Sequence, residues 1–160
     1  MSFNSFIKQA LVKCLITASS EQHLFDNVSA QWERLKQWQQ LDTEGKQDYS
    51  INLAACSIEL LSRLRTLNNE DIVAQCIDLH HRKNRGYAGR SADPWANFRL
   101  CEQFGISAVD GCLTRLSDKY ARLMNLKSDR TLDRVNEPIT DTLQDLINYS
   151  IILCCLLDEK

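Results

Sequence analysis

Helical periodicity runs through this chain almost without interruption, and it leaves little freedom in what the chain can fold into. The 160 residues include two prolines and five glycines, most of them standing between the apolar repeats. Within the repeats, apolar residues recur three and four positions apart, which is the mark of a helix with one buried face. The strict alternation of a half-buried strand is missing. The reading is an all-α, compact helical bundle. A chain of this length builds one core, so residues 1–160 are expected to form one domain.

The spacing predicts a first helix over residues 4–18, with Phe6, Ile7, Leu11, Cys14 and Leu15 on one side. A second starts after Asp26 or Asn27, both good caps, and turns Val28, Trp32, Leu35 and Trp38 inward. Residues 43–46 read as a turn, 49–67 as a third helix and 71–81 as a fourth. Residues 80–91 are basic, contain Gly86 and Gly89, and lack an apolar period, so they read as a loop. Asp93 caps and Pro94 opens a short helix ending at Gly105. Ser107 with Asp110 makes a near capping box for a helix reaching residue 126. Pro138 then begins a last helix running to residue 157.

A net charge of −2 argues against general nucleic-acid binding, which draws on a basic excess. Lys8 and Lys13 break the apolar residues of the N-terminus, so it lacks a secretory core, and no apolar run is long enough to span a membrane. A cytoplasmic protein is expected. Seven cysteines without a C-x-x-C pair suit reduced core residues better than a zinc or redox site.

The last helix carries the sharpest chemical signal. Glu137, Asp141 and Asp145 follow one another at intervals of four, and Asn148 comes three residues later. Such spacing makes a single stripe, expected to lie away from Leu143, Leu146 and Cys154. Carboxylates so close repel unless a cation sits among them, either a hard divalent metal or the lysines and arginines of a facing helix. The competing reading is a solvated face, helped near the N-terminus by the helix dipole. Asp118 on the preceding helix has Arg115, Lys119 and Arg122 around it, an arrangement that also suits an exposed ion-pair ladder. Lys83, Asn84, Arg85, Tyr87 and Arg90 could clasp phosphates, or form a merely solvated basic loop.

In this order and spacing, Lys83-Asn84-x-x-Tyr87, Asp93-Pro94-Trp95-Ala96-Asn97-Phe98, Arg115-x-x-Asp118-Lys119-x-x-Arg122-Leu123 and Glu137-x-x-x-Asp141-Thr142-Leu143-x-Asp145-Leu146-x-Asn148-Tyr149 resemble a known family. It is the nucleotide-modification-associated domain of the first type, a phage-linked branch of the all-α MazG and dimeric-dUTPase-like pyrophosphohydrolases. The resemblance covers residues 78–157, and residues 1–70 would be helices added to that core.

The resemblance implies hydrolysis of a (deoxy)nucleoside triphosphate, purine-directed, to monophosphate and pyrophosphate. Mg2+ or Mn2+ would be held by Asp118, Glu137, Asp141 and Asp145. Asp118, Glu137, Asp141 and Lys119 would act in catalysis. Lys83, Asn84, Tyr87, Trp95, Asn97, Arg115, Arg122 and Asn148 would hold the substrate. A homo-oligomer is implied as well. Asp141 and Asn148 match the family's acid-to-asparagine interval of seven. Glu137 stands four residues before Asp141 rather than three, and Arg115 stands three before Asp118 where an acid is usual. The acid set is therefore thinner, and a second expectation stays open: a non-catalytic nucleotide-binding or protein-interaction module. Trp32, Trp38 and the glutamines 37, 39 and 40 would suit an interface. Hydrolysis needs Asp118 to face Glu137, Asp141 and Asp145 across one cleft.

Overall fold

The structure, a computed structural model, describes residues 1–14, 20–89, 91, 93–132 and 138–159, except the side chains of residues 88 and 130. Among the described residues there are seven α-helices, α1 Phe3–Lys13, α2 Glu21–Leu35, α3 Thr43–Arg65, α4 Asn69–Ala88, α5 Ala96–Arg99, α6 Ala108–Ser128 and α7 Ile139–Asp158, and no strands. Short 3-10 turns lie at Trp38–Gln40, Leu100–Phe104 and Arg130–Leu132. The all-α expectation therefore holds. None of the described helices is long and apolar enough to cross a membrane.

α7 is the hub. It packs most extensively on α3 and α6, and nearly every one of its residues from Thr142 to Leu157 is buried. A helix buried on all sides needs an apolar surface all round, and the run Ile151-Ile152-Leu153 with Leu156 and Leu157 supplies it. Leu53, Ile58 and Leu61 of α3 and Leu116 and Leu123 of α6 meet it in the core, fully buried. Trp32, Trp38, Leu64, Leu113 and Tyr120 are half-buried against this core.

Side-chain caps set most of the helix starts. Ser2, Ser20, Asp42, Asn68 and Ser107 each accept a hydrogen bond from the backbone N–H three residues on. Two expected starts are corrected. α2 begins at Glu21 rather than after Asp26, because Leu24 and Phe25 are buried and their burial outweighs the capping tendency of Asp26 and Asn27. Residues 43–46 are the first turn of α3 rather than a free turn, since Asp42 accepts from the Gly45 N–H at 2.8 Å. The expected helix over 4–18 ends at Lys13 as described, and Leu15 to Ala18 lie outside the described residues.

The largest correction falls on residues 80–91. α4 continues through them to Ala88, closed by Gly89 at φ 58°. The basic stretch lacks an apolar period because its inward face is polar and aromatic. Downstream, Asp93 accepts from the Trp95 N–H at 2.8 Å, α5 starts at Ala96, and the segment ends at Gly105 (φ 75°) as expected. Ser107 caps α6, and its hydroxyl donates to Asp110 Oδ2 at 2.6 Å.

All seven cysteines are free thiols, four of them buried and three half-buried. Burial pushes the Cys56 thiol up to about 11 and those of Cys14 and Cys76 up to about 12. They behave as small core residues.

Candidate functional site

One cavity of about 440 Å³ opens between α4, α5, α6 and α7. α4 contributes His80, Lys83, Asn84 and Tyr87, and α7 contributes Asp145, Asn148, Tyr149 and Ile152. Both sets follow the interval of three, four and seven that places residues on one helical face. Trp95, Asn97 and Phe98 come from the α5 segment, and Arg115 from α6. Of the residues expected to hold substrate, all but Arg122 line this cavity.

Asp145 sits at the charged end. Its side chain is only 12% exposed, and each oxygen has a cation: Lys83 Nζ at 2.6 Å from Oδ1 and Lys119 Nζ at 2.9 Å from Oδ2. A buried carboxylate needs such partners to offset lost hydration. The repulsion foreseen along the acidic stripe is therefore answered by lysines from the two flanking helices. The Arg115 guanidinium lies 4.7 Å from the centre of the Phe98 ring, a cation–π contact. Phe98 meets Tyr149 edge-on at 6.2 Å. Burial, then the nearby Asp145 carboxylate, pushes the Tyr149 phenol up, while Arg115, Lys83 and Lys119 oppose the shift. Those four charges thus act on one half-buried side chain.

His80 closes the aromatic end. Its ring stacks on Phe3 at 3.8 Å and 2°, and tilts toward Trp95 at 5.7 Å. Burial, and then His81, lower its pKa to about 4, so the ring is neutral at pH 7. Asn148 is 6% exposed, and its Oδ1 has no hydrogen-bond partner. A buried polar atom left unpaired costs about 1–3 kcal/mol.

Of the acids expected to share a metal, the described ones, Asp118, Asp141 and Asp145, are not grouped to hold one. Asp141 is half-exposed and pairs with Arg65 Nη2 at 3.2 Å. Asp118 is exposed beside a separate depression that Arg122 and Leu132 also line, and Arg122 Nε donates to Thr142 Oγ1 at 3.2 Å. The cause is helical geometry. Lys119 faces Asp145, and consecutive residues are about 100° apart around a helix, so Asp118 is turned aside. Asp141 lies a full turn before Asp145, where α7 is still half open to solvent. The stripe was expected on the side away from the core, whereas Asp145 and Asn148 are buried. Among the described residues no group of three or more His, Cys, Asp or Glu is placed to hold a metal ion. Magnesium calls for several oxygen donors in near-octahedral order, and Asp145, with an ammonium on each oxygen, does not present them. Glu137 and Arg90 lie outside the described residues.

His80 and Tyr149 are cavity residues that sequence reasoning did not place in the site. Their signal was available: His80 completes the helical face of Lys83, Asn84 and Tyr87, and Tyr149 stands four residues after Asp145. Of the residues considered for a protein interface, Trp32 stacks on Tyr120 at 4.3 Å and Trp38 has Lys46 at 5.0 Å from its ring centre, while Gln37, Gln39 and Gln40 are exposed. No protein-family model, curated protein or solved structure matches this chain.

Proposed function

We propose that this chain binds a nucleotide in the α4–α7 cavity, the non-catalytic arm of the two expectations. The observation that carries it is convergence: Lys83, Asn84, Tyr87, Trp95, Asn97, Arg115 and Asn148, separated by up to 65 positions, line one cavity. Its size suits one small molecule, since ligand pockets run to about 300–1,000 Å³. Lys83, Lys119 and Arg115 supply donors and charge for a phosphate. Tyr87, 69% exposed at the mouth, and the Trp95 ring offer apolar faces for a base.

The test is calorimetric titration with a panel of ribo- and deoxynucleotides. Binding is expected in the parent, with at least tenfold weaker affinity in Lys83→Ala and Arg115→Ala. A parent that binds no nucleotide, or variants that bind like the parent, would overturn the reading.

A second reading is hydrolysis of a (deoxy)nucleoside triphosphate to monophosphate and pyrophosphate with Mg2+ or Mn2+, in a cytoplasmic homo-oligomer. It is favoured by Asp145 and Asn148 standing together on the cavity wall as the resemblance implies. It requires further acids beside Asp145, from Glu137 or from a second copy of the chain. Pyrophosphate release over all common nucleotides, with either metal, is its test, and silence across that panel removes it.

A further inference from the structure

We infer that His80 reads the base of the bound nucleotide, through a hydrogen bond between a ring nitrogen and the base edge; this rests on the nucleotide reading above. The first ground is geometry. His80 stands on the cavity wall yet is only 7% exposed. Its ring meets the rings of Phe3, His81 and Trp95, and neither ring nitrogen has a hydrogen-bond partner among the described residues. Neither nitrogen is fully enclosed. Phe3, a buried residue of α1 that is not part of the wall, lies flat on one face of the ring at 3.8 Å and 2°. The nitrogens lie in the plane parallel to that stack, so Phe3 leaves them uncovered. What the packing leaves open of this ring is the part that the cavity reaches.

The second ground is chemistry. The ring is neutral at pH 7, so one nitrogen donates and the other accepts. Base edges present donors and acceptors of the same kind, whereas a phosphate is better served by a cation. Trp95, buried beside His80, adds an apolar face on which a base can lie. Lys83 stands three residues further along α4, on the same helical face, and supplies the cation. One face of α4 therefore sorts the two halves of a nucleotide, with His80 for the base and Lys83 for the phosphate. The flat stack on Phe3 holds the imidazole in place before the ligand arrives, which lowers the entropy lost on binding.

The experiment is titration calorimetry of the full chain and of His80→Phe, which keeps the ring stack and removes both nitrogens. The probes are the 5′-mono- and triphosphates of the four common deoxynucleosides, and deoxyribose 5-phosphate, which lacks a base. The nucleotide that binds the parent most tightly is expected to bind His80→Phe at least tenfold more weakly, while deoxyribose 5-phosphate does not tell the two proteins apart. Equal nucleotide affinity, or the same loss for the probe without a base, would overturn this inference and leave the nucleotide reading standing. Failure of every nucleotide on the parent would overturn both. Nitrogen-15 NMR of the labelled parent decides the matter if the variant does not fold. The imidazole nitrogen signals of His80 should shift with that nucleotide and stay in place with deoxyribose 5-phosphate, and signals that the nucleotide leaves unmoved would refute the hydrogen bond.

Discussion

Lys83 Nζ lies 2.6 Å from Asp145 Oδ1, and this contact joins the stretch of α4 that has no apolar period to the middle of the buried helix α7. Lys119 of α6 takes the other oxygen, so a single carboxylate gathers three helices at the charged end of the cavity. The same contact explains why helix α4 persists past His81. Past His81 the helix is tied to the rest of the fold by this polar contact, where a surface helix would use an apolar stripe.

Asn148 should trade stability against binding. Leucine is close to asparagine in shape and has no polar atom to satisfy. Asn148→Leu is expected to leave stability unchanged or raise it by about 1 kcal/mol, because the unpaired acceptor is gone. Nucleotide affinity should fall at least tenfold. Chemical denaturation and calorimetry on the two proteins check both halves, and a destabilised variant would mean that Oδ1 is already satisfied in the empty protein.

Asp141 distinguishes the two functional readings. Its pair with Arg65 is half-exposed, so Asp141→Asn should change stability by no more than about 0.5 kcal/mol. Nucleotide affinity is expected within twofold of the parent, since the side chain lies outside the cavity. If the parent releases pyrophosphate and this variant loses a hundredfold in rate, Asp141 belongs to a metal site and the hydrolase reading prevails.

His80 should make stability depend on acid pH. Its pKa in the folded protein, about 4, lies below the ordinary 6.5. Between these values the unfolded chain takes up a proton that the folded protein refuses. The stability this residue confers is complete above pH 6.5 and is lost as the pH falls toward 4, by at most about 1.4 kcal/mol per pH unit. Urea denaturation of the parent and of His80→Leu across this window should show the steeper decline in the parent. Equal slopes would mean that the folded protein accepts the proton.

Gly111 should show a sign reversal. A Cβ there would stand 2.7 Å from Cys101 Sγ, which is itself held by the Phe98 carbonyl at 2.9 Å. Gly111→Ala is therefore expected to destabilise the parent by about 1–2 kcal/mol through overpacking. Once Cys101→Ala has removed the sulfur, the same change should stabilise by up to about 1 kcal/mol, through the helix propensity of alanine. Denaturation midpoints of the four proteins in this cycle test it, and destabilisation in both backgrounds would rule out the sulfur as the obstacle.

Much of the fold was determined locally and could be read residue by residue. Ile51, Leu53, Ala54, Ile58 and Leu61 recur at helical intervals, and all are buried. Ser107 with Asp110, and Gly105 before them, mark a helix boundary through backbone chemistry that needs no distant partner. The residues of the cavity were also legible one at a time, because lysine, arginine, asparagine and tryptophan announce what they can bind. Their convergence was not, since it depends on which helix α7 packs against and at what rotation. On α6 a difference of about 100° between neighbours sends Lys119 to Asp145 and leaves Asp118 in solvent. The extension of α4 through its basic stretch was likewise a tertiary decision. A polar face shows no apolar period to a sequence reader, and only the opposing Asp145 and Trp95 make that face the wall of a cavity.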